Sequence, residues 1–244
     1  MPDTGPDTGL DTGPDTGAGK TTRRLVWAGV LALALVASAT VAWRTAADWR
    51  PSRSTYPVQG VTIGAKNGAV AMGRLRAAQV DFAFFEASDG ATHHNPGYAI
   101  NRAAARAAGL RYGALHRYDV CATGSQQAAN FIRRVPRDRD MLPPAIRVEP
   151  GACQPTRALM LSELTTFLNQ IEAHTGMPTL LAVDPSVEQV HSITNAIERN
   201  RWAERDFWPP LRDSGPWVMW QANRFARLEG VDGAVVWNVV YADR

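Results

Sequence analysis

The amino-acid sequence predicts an α/β fold, a short and irregular (β/α) barrel that follows one N-terminal transmembrane helix. Two observations support this prediction. Short β-prone segments alternate with helical segments between residues 57 and 240, and such alternation is typical of a parallel sheet with helices outside it. An uncharged apolar segment of membrane-spanning length, residues 25–43, precedes them.

Residues 1–22 are predicted to be a disordered cytoplasmic tail. They begin with a repeated PDTG unit, and Pro, Asp, Thr and Gly cannot build a hydrophobic core. The GAGKTT that follows suggests a phosphate-binding loop. That loop requires a glycine at the position of Pro14 and a strand before it, and the sequence has neither. We therefore do not predict nucleotide binding.

Residues 23–44 are predicted to be a transmembrane signal anchor. Arg23 and Arg24 on its amino side predict a cytoplasmic N-terminus and an exported C-terminal domain. The alternative is a signal peptide that is cleaved near the small residues 37–39. The long tail before the apolar segment favours an inner-membrane anchor with a periplasmic domain. Cleavage would instead give a secreted protein.

Residues 45–55 are predicted to be a linker, and residues 56–244 a folded domain. Hydrophobic residues make up 45% of the chain and charged residues 20%, which is typical of a globular protein. The net charge is only +3 and the basic residues are scattered. We therefore expect no nucleic-acid partner, and the sequence predicts neither a cofactor nor a metal site.

The folded domain is predicted to contain seven strands and three clear helices. The strand segments are PVQGVTI from Pro57, DFAFFEA from Asp81, RYGALHRY from Arg111, PAIRVE from Pro144, TLLAVD from Thr179, PWVMWQA from Pro216 and AVVWNVV from Ala234. The clearest helix follows Pro155 and ends at Gly176, and two more are predicted at 100–108 and 126–135. Because about 190 residues is short for a complete eightfold barrel, we expect some helices near the carboxyl end to be missing.

Active sites of such barrels lie at the carboxyl ends of the strands. That rule selects a set of candidate site residues, namely Thr62, Glu86, His116, Tyr118, Glu149, Asp184, Gln221 and Asn238.

The strand ends carry an ordered series of motifs. They read YPVQGVTIG, DFAFFEASDG, AAARAAGLRYGALHRY, LPPAIRVEP, WVMWQANR and VDGAVVWN. The series, from Tyr56 to Tyr241, resembles glycoside hydrolase family 25, the Chalaropsis-type lysozymes or N-acetylmuramidases. The resemblance implies a TIM-barrel-like lysozyme fold and cleavage of peptidoglycan between N-acetylmuramic acid and N-acetylglucosamine.

The resemblance also implies four catalytic acids, most of which are replaced in this sequence. The first-strand Asp is matched by Thr62, the fourth-strand Asp by Arg147 and the last-strand Asp by Val236. The fourth-strand Glu is retained as Glu149. This chain is therefore expected to be a divergent member whose hydrolysis is lost or much reduced, and which binds cell-wall glycan strands.

Two alternatives remain open. Glu149 could act with Glu86 or Asp89 in a divergent but active muramidase, or the barrel could be an envelope protein-interaction scaffold.

Glu149 could instead form a structural salt bridge with Arg147, two residues away on the same strand face. An Arg147–Glu86 ion pair across strands is a further possibility.

The resemblance implies sugar contacts at His116 and Tyr118 in the third strand and at Trp220 and Gln221 in a later one. The adjacent His93 and His94 are not predicted to bind a metal.

Cys121 and Cys153 are predicted to form a disulfide. They follow the ends of two consecutive predicted strands. Consecutive strands of a parallel barrel are neighbours, so both cysteines lie in loops on one rim. Export makes their oxidation favourable.

Overall fold

The computed structural model describes residues 17–211 and 215–241. The chain divides into two compact units, residues 1–45 and 46–244. Most of the predicted tail, residues 1–16, lies outside the described residues.

The first unit contains most of one long helix, α1 (Gly17–Asp48). Its segment Thr22–Asp48 has a mean hydropathy of 2.2 over its most apolar window and is long enough to cross a membrane. A signal sequence near an N-terminus meets the same criterion. The helix extends beyond residues 23–44 at both ends and includes residues 45–48, the beginning of the predicted linker.

The second unit alternates strands and helices in its first part. In order, the elements are β1 (Gln59–Ile63), a 3-10 turn (Ala65–Asn67), α2 (Met72–Ala77), β2 (Phe82–Asp89), β3 (His93–His94), α3 (Tyr98–Ala107), β4 (Arg111–Tyr118), α4 (Gly124–Arg134), β5 (Ala145–Val148), α5 (Arg157–Thr175), β6 (Leu180–Val183), α6 (Pro185–His191), α7 (Ile193–Ala196), β7 (Asn200–Glu204), β8 (Met219–Ala226) and β9 (Val235–Val240).

Eight of the strands in the described residues close into a barrel. The order is β1-β9-β8-β7-β6-β5-β4-β2, and pairing of β1 with β2 closes it, while β3 adds to β2 at the mouth. The predicted α/β barrel is therefore confirmed. So is the expectation about helices, because the described residues between β7 and β9 contain none.

Three features of the sheet differ from the sequence prediction. One is β3, a short strand antiparallel to β2 that was not predicted. β9 is antiparallel to both β1 and β8, because the connection of residues 227–234 is too short for the crossover that parallel strands need. β7 was not predicted. Its sequence NRWAE contains only Trp202 and Ala203 as apolar residues, so it offers no β-prone run.

Alternating side chains of the strands build two apolar layers. The layer between barrel and helices includes Phe85, Ile146 and Phe167. The inner layer fills the barrel with the buried side chains of Phe82, Phe84, Leu115, Ala145, Leu180, Ala182, Trp202 and Met219. Gly113 makes room for this filling, since a Cβ there would lie 2.3 Å from the Phe84 ring. The barrel is thus closed below its mouth.

Candidate functional site

A cleft of about 540 Å³ opens at the mouth of the barrel, where the parallel strands end. Its lining residues come from β1, β2, β3, β4, β5, the start of β9 and the loop after β1, and they are Thr62, Gly64, Ala65, Lys66, Asn67, Glu86, Asp89, His93, His94, Leu115, Arg117, Arg147, Ala234 and Val236. The lining is rich in charged and hydrogen-bonding groups, so the cleft suits a polar ligand.

The floor of the cleft carries a buried ion pair. Arg147 on β5 donates from Nε to Glu204 at the end of β7 across 2.6 Å, and from Nη2 to Gln221 on β8 across 2.7 Å. The side chains of Arg147 and Glu204 are only 11% and 5% exposed. Burial raises the pKa of Glu204, while Arg147 opposes that rise. The arginine is therefore fixed across the barrel rather than free to leave the site.

A second network lies at the rim. Arg117 on β4 donates from Nη2 to Glu149 across 2.7 Å and from Nη1 to Asp89 across 3.1 Å. All three side chains are more than a third exposed. The electrostatic contribution of these pairs is therefore weakened by solvent. Arg117 holds the two carboxylates on either side of one guanidinium.

Glu86 is the carboxyl group of the cleft that stands apart from these ion pairs among the described contacts. Burial raises its pKa, and the neighbouring carboxylates of Asp89 and Glu149 raise it further, whereas Arg117 and a backbone hydrogen bond from Ala65 lower it. A carboxyl group with a raised pKa retains its proton to a higher pH, which is the property that a general acid needs.

Two of the ion pairs suggested by the sequence are absent in the described residues. Glu149 pairs with Arg117 instead of Arg147, and Arg147 pairs with Glu204 instead of Glu86. The physical reason lies in the strand register. Arg117 and Arg147 are directly opposite each other on β4 and β5, and their like charges are accommodated at different depths, one at the rim and one inside the barrel.

The positions that match the missing acids do come together. Thr62 and Val236 are paired in register between β1 and β9, and both line the cleft with Arg147. Asn238 is buried below them and donates from Nδ2 to the Thr62 hydroxyl across 3.0 Å. The hydroxyl that replaces the first acid is thus held by a hydrogen bond between two neutral side chains.

Three of the predicted sugar-contacting rings are buried away from the cleft. His116 and Tyr118 have at most 4% of their surface exposed and pack under α5, where the His116 ring stacks on Phe167. The cause is strand alternation, which sends Arg117 into the mouth and its two neighbours outward. Trp220, only 1% exposed, likewise faces the outer layer. These rings offer no surface for sugar stacking in this structure, so their predicted role is not supported.

The remaining predicted residues have identifiable partners. Gln221 is buried and accepts the hydrogen bond from Arg147. Asp184 caps α6 through a hydrogen bond from the backbone N–H of Ser186. His93 and His94 form β3 and line the cleft.

Sequence reasoning missed Glu204 and Arg117, both central to the charge arrangement. Glu204 was missed because β7, the strand that carries it, was not predicted. Arg117 was missed because the family resemblance implied sugar contacts at its neighbours His116 and Tyr118 instead. A usable signal was present, since Arg117, Arg147 and Glu149 lie at strand ends with the same inward alternation.

The predicted disulfide is confirmed. Cys121 and Cys153 are bonded, with their Cα atoms 5.3 Å apart. They join the loops that follow β4 and β5, which are parallel neighbours as expected. The bond therefore constrains the loop that begins at Glu149, directly after β5.

Comparison with known proteins gives one family. The model described as "Glycosyl hydrolases family 25" matches residues 61–231. The Escherichia coli K12 protein YegX is 24% identical over 172 residues, which are 70% of this chain. This chain spans 62% of the length of YegX.

Solved structures share the fold. A family 25 glycosyl hydrolase from Bacillus anthracis has a TM-score of 0.73 and 26% identity, covering 81% of this chain and 94% of its own. The bacterial lysozyme from Streptomyces coelicolor has a TM-score of 0.67 and 22% identity, covering 76% and 93%. A family GH25 lysozyme from Aspergillus fumigatus has a TM-score of 0.65 and 17% identity, covering 76% and 94%.

Proposed function

The chain belongs to glycosyl hydrolases family 25, and from that membership we propose that it is a lysozyme-like protein that binds peptidoglycan glycan strands with lost or much reduced hydrolysis. The observation that carries this proposal is the buried Arg147–Glu204 ion pair in the floor of the cleft. It stands where the family resemblance implies a catalytic acid.

The chemistry of glycoside cleavage explains why this replacement matters. The reaction needs a proton donor at the leaving oxygen and a second group that stabilises or traps the cationic sugar. Thr62 and Val236 can act as neither acid nor base near neutral pH. Arg147 places a guanidinium where positive charge would develop on the sugar, and Glu149 is engaged by Arg117. The arrangement therefore disfavours the transition state.

Binding does not require these acids. The cleft retains exposed hydrogen-bonding groups that suit the hydroxyl and acetamido groups of a glycan, among them Lys66, His93 and His94. Its position at the strand ends supports glycan binding, since ligand sites of such barrels lie there. We propose that the cleft holds a glycan strand without cutting it.

A second candidate function is hydrolysis by Glu86 as general acid with Glu149 or Asp89 as the second group. The raised pKa of Glu86 favours this candidate, because a half-buried carboxyl group beside charged carboxylates resembles the acid of a working glycosidase. Its weakness is that Arg117 is bound to both proposed second groups.

We further propose that α1 anchors the chain in the inner membrane and that the barrel lies on the periplasmic side. The arginine pair before the apolar segment supports this orientation. The disulfide supports an oxidising compartment.

The test uses the full chain purified in detergent, with an active family 25 lysozyme as positive control. We expect the chain to sediment with purified sacculi and to release little or no new reducing sugar. Clear turnover that is lost in both Glu86→Gln and Glu149→Gln would establish the second candidate. Absence of both binding and turnover would contradict both candidates and leave a protein-interaction scaffold.

A further inference from the structure

An exposed apolar loop follows β7. Residues 207–211 read Phe-Trp-Pro-Pro-Leu, and the side chains of Trp208 and Leu211 are 68% and 63% exposed. Large apolar side chains that are exposed together on one short loop indicate a contact surface. The loop lies outside the barrel and takes no part in the cleft.

The loop is held in a fixed place by its first residue. The backbone N–H of Phe207 donates to the carbonyl of Ala222 on β8 across 2.7 Å. The Phe207 ring stacks on Phe225, with centroids 6.1 Å apart, and meets the edge of Trp49 at 5.6 Å. Trp208 is therefore presented outward from a packed aromatic base.

Trp49 is the first residue after α1, and the barrel unit binds the chain at that point. Asn223 donates from Nδ2 to the carbonyl of Ala46 across 2.7 Å. The Arg227 N–H donates to the carbonyl of Ala47, and Arg50 donates to the carbonyl of Arg227. Residues 46–50 thus lie on the same flank of the barrel as the loop.

The length of chain between the apolar segment and this attachment is very short. Residues 25–43 in a helix span about 28 Å, which nearly fills a hydrocarbon core of about 30 Å. Ala46 follows Trp43 by three residues, or about 4.5 Å of helix. The headgroup layer is about 5–8 Å thick on each side. If α1 spans a bilayer, the attachment at Ala46 therefore lies at headgroup level.

The flank has the chemistry of a membrane interface. Tryptophan is enriched where headgroups meet acyl chains. Arg205 and Arg227 are exposed. Arg205 donates to the carbonyl of Pro209 in the loop across 3.3 Å, and Arg227 contacts Ala47 and Arg50 at the attachment of the chain. Arginines near a membrane surface attract anionic lipid headgroups.

We propose that residues 207–211 form a membrane-contact loop. It inserts Trp208 into the headgroup–acyl boundary of the bilayer that α1 spans, while Arg205 and Arg227 bind anionic phospholipid headgroups. This inference rests on the proposed membrane anchoring. It adds a second attachment to the bilayer, made by the barrel unit itself.

The test places a fluorescent reporter on the loop of the full chain. Both native cysteines are joined in the disulfide, so Trp208→Cys supplies a single thiol for an environment-sensitive NBD label. Ile100→Cys is the matched control, because Ile100 on α3 is 61% exposed and α3 connects β2 to β4, across the barrel from β7 and β8. Leu211→Cys gives a second reporter that keeps Trp208 in place.

The labelled chains are reconstituted into vesicles of phosphatidylcholine and phosphatidylglycerol, and flotation reports anchoring separately. We expect emission at positions 208 and 211 to be blue-shifted and several-fold brighter than at position 100, to be quenched by doxyl-labelled lipid, and to weaken in vesicles of phosphatidylcholine alone. Chains that float but show water-like emission at both loop positions would overturn the contact loop alone. Chains that fail to float would overturn the anchoring proposal and the loop with it.

Discussion

Arg147 and Glu204 form an ion pair inside the barrel, with 2.6 Å between Nε and Oε1. They come from β5 and β7, two strands that are not neighbours in the sheet, and Gln221 on β8 completes the arginine's hydrogen bonds. The pair occupies the floor of a cleft that in related enzymes is expected to hold catalytic acids.

Glu204→Gln should destabilise the protein strongly. Removing one partner leaves the buried Arg147 guanidinium without a counter-charge, which costs about 3–5 kcal/mol. The double variant Arg147→Met/Glu204→Leu should regain most of that loss, because no buried charge remains. Urea unfolding of the full chain in detergent measures both. The exposed pair Arg74–Glu229 is the control, and a Glu229→Gln loss as large as that of Glu204→Gln would contradict the argument.

Restoring the missing acids should recover some hydrolysis only if Glu204, which loses its partner Arg147, is neutralised as well. Thr62→Asp, Arg147→Asp and Val236→Asp together would place new carboxylates beside the buried Glu204. Adding Glu204→Gln removes that repulsion. We expect reducing-sugar release from peptidoglycan to rise in the fourfold variant above both the triple variant and the unmodified chain. Equal turnover in all three proteins would show that other features block catalysis.

The carboxyl group of Glu86 should titrate at a higher pH than that of an ordinary glutamate. Burial is the main cause, and Asp89 and Glu149 add to it. Carbon-detected NMR of glutamate-labelled protein measures the midpoint, with Glu86→Gln to assign the signal and a short unstructured glutamate peptide as the reference.

The raised pKa of Glu86 also has a stability consequence. The folded state binds this proton more tightly than the unfolded state. The contribution is therefore present below the unfolded pKa and is lost as the pH rises through the folded pKa. Glu86→Gln should flatten the pH dependence of stability in that window, and an unchanged profile would contradict the assignment.

Buried His116 should make the fold sensitive to mild acid. Burial lowers its pKa to about 4, with Gln127 opposing the shift, against about 6.5 in an unfolded chain. The unfolded state therefore binds the proton first, and stability present above pH 6.5 is lost as the pH falls toward the folded pKa. Between pH 7 and pH 5 the loss should be about 2 kcal/mol.

The variant His116→Gln removes this titration and should flatten that part of the stability curve in urea unfolding. His93→Gln is the control, because His93 is exposed. A slope that persists in His116→Gln would assign it to another group.

Loss of the disulfide should weaken the fold without abolishing it. The bond closes a loop between Cys121 and Cys153, which are 32 residues apart. In the chain-entropy model such a loop contributes about 3–4 kcal/mol. Urea unfolding of Cys121→Ser/Cys153→Ser measures the loss. Mass spectrometry of unreduced, alkylated wild type should find no label on either cysteine, and label on both would contradict the bond.

The sequence predicted which positions line the cleft but not the partners of the arginine inside it. The positions of Thr62, Arg147 and Val236 could be located from motif order alone, because closing a barrel brings successive strand ends to one mouth. The partners of Arg147 could not. An arginine side chain is long enough to reach across a barrel, so its partner depends on strand tilt and depth rather than on distance along the chain.

The sequence by itself determined the α/β barrel, the apolar helix before it, the disulfide and the replacement of the family's acids. Each of these follows from local patterns and from the order of elements along the chain. Tertiary structure alone decided that His116 and Tyr118 face α5, that Arg117 faces the cleft, and that β9 runs antiparallel. Strand alternation groups residues by face, but only packing against the helices selects which face lies inside. That selection placed Glu204 opposite Arg147 and gave the cleft its buried ion pair.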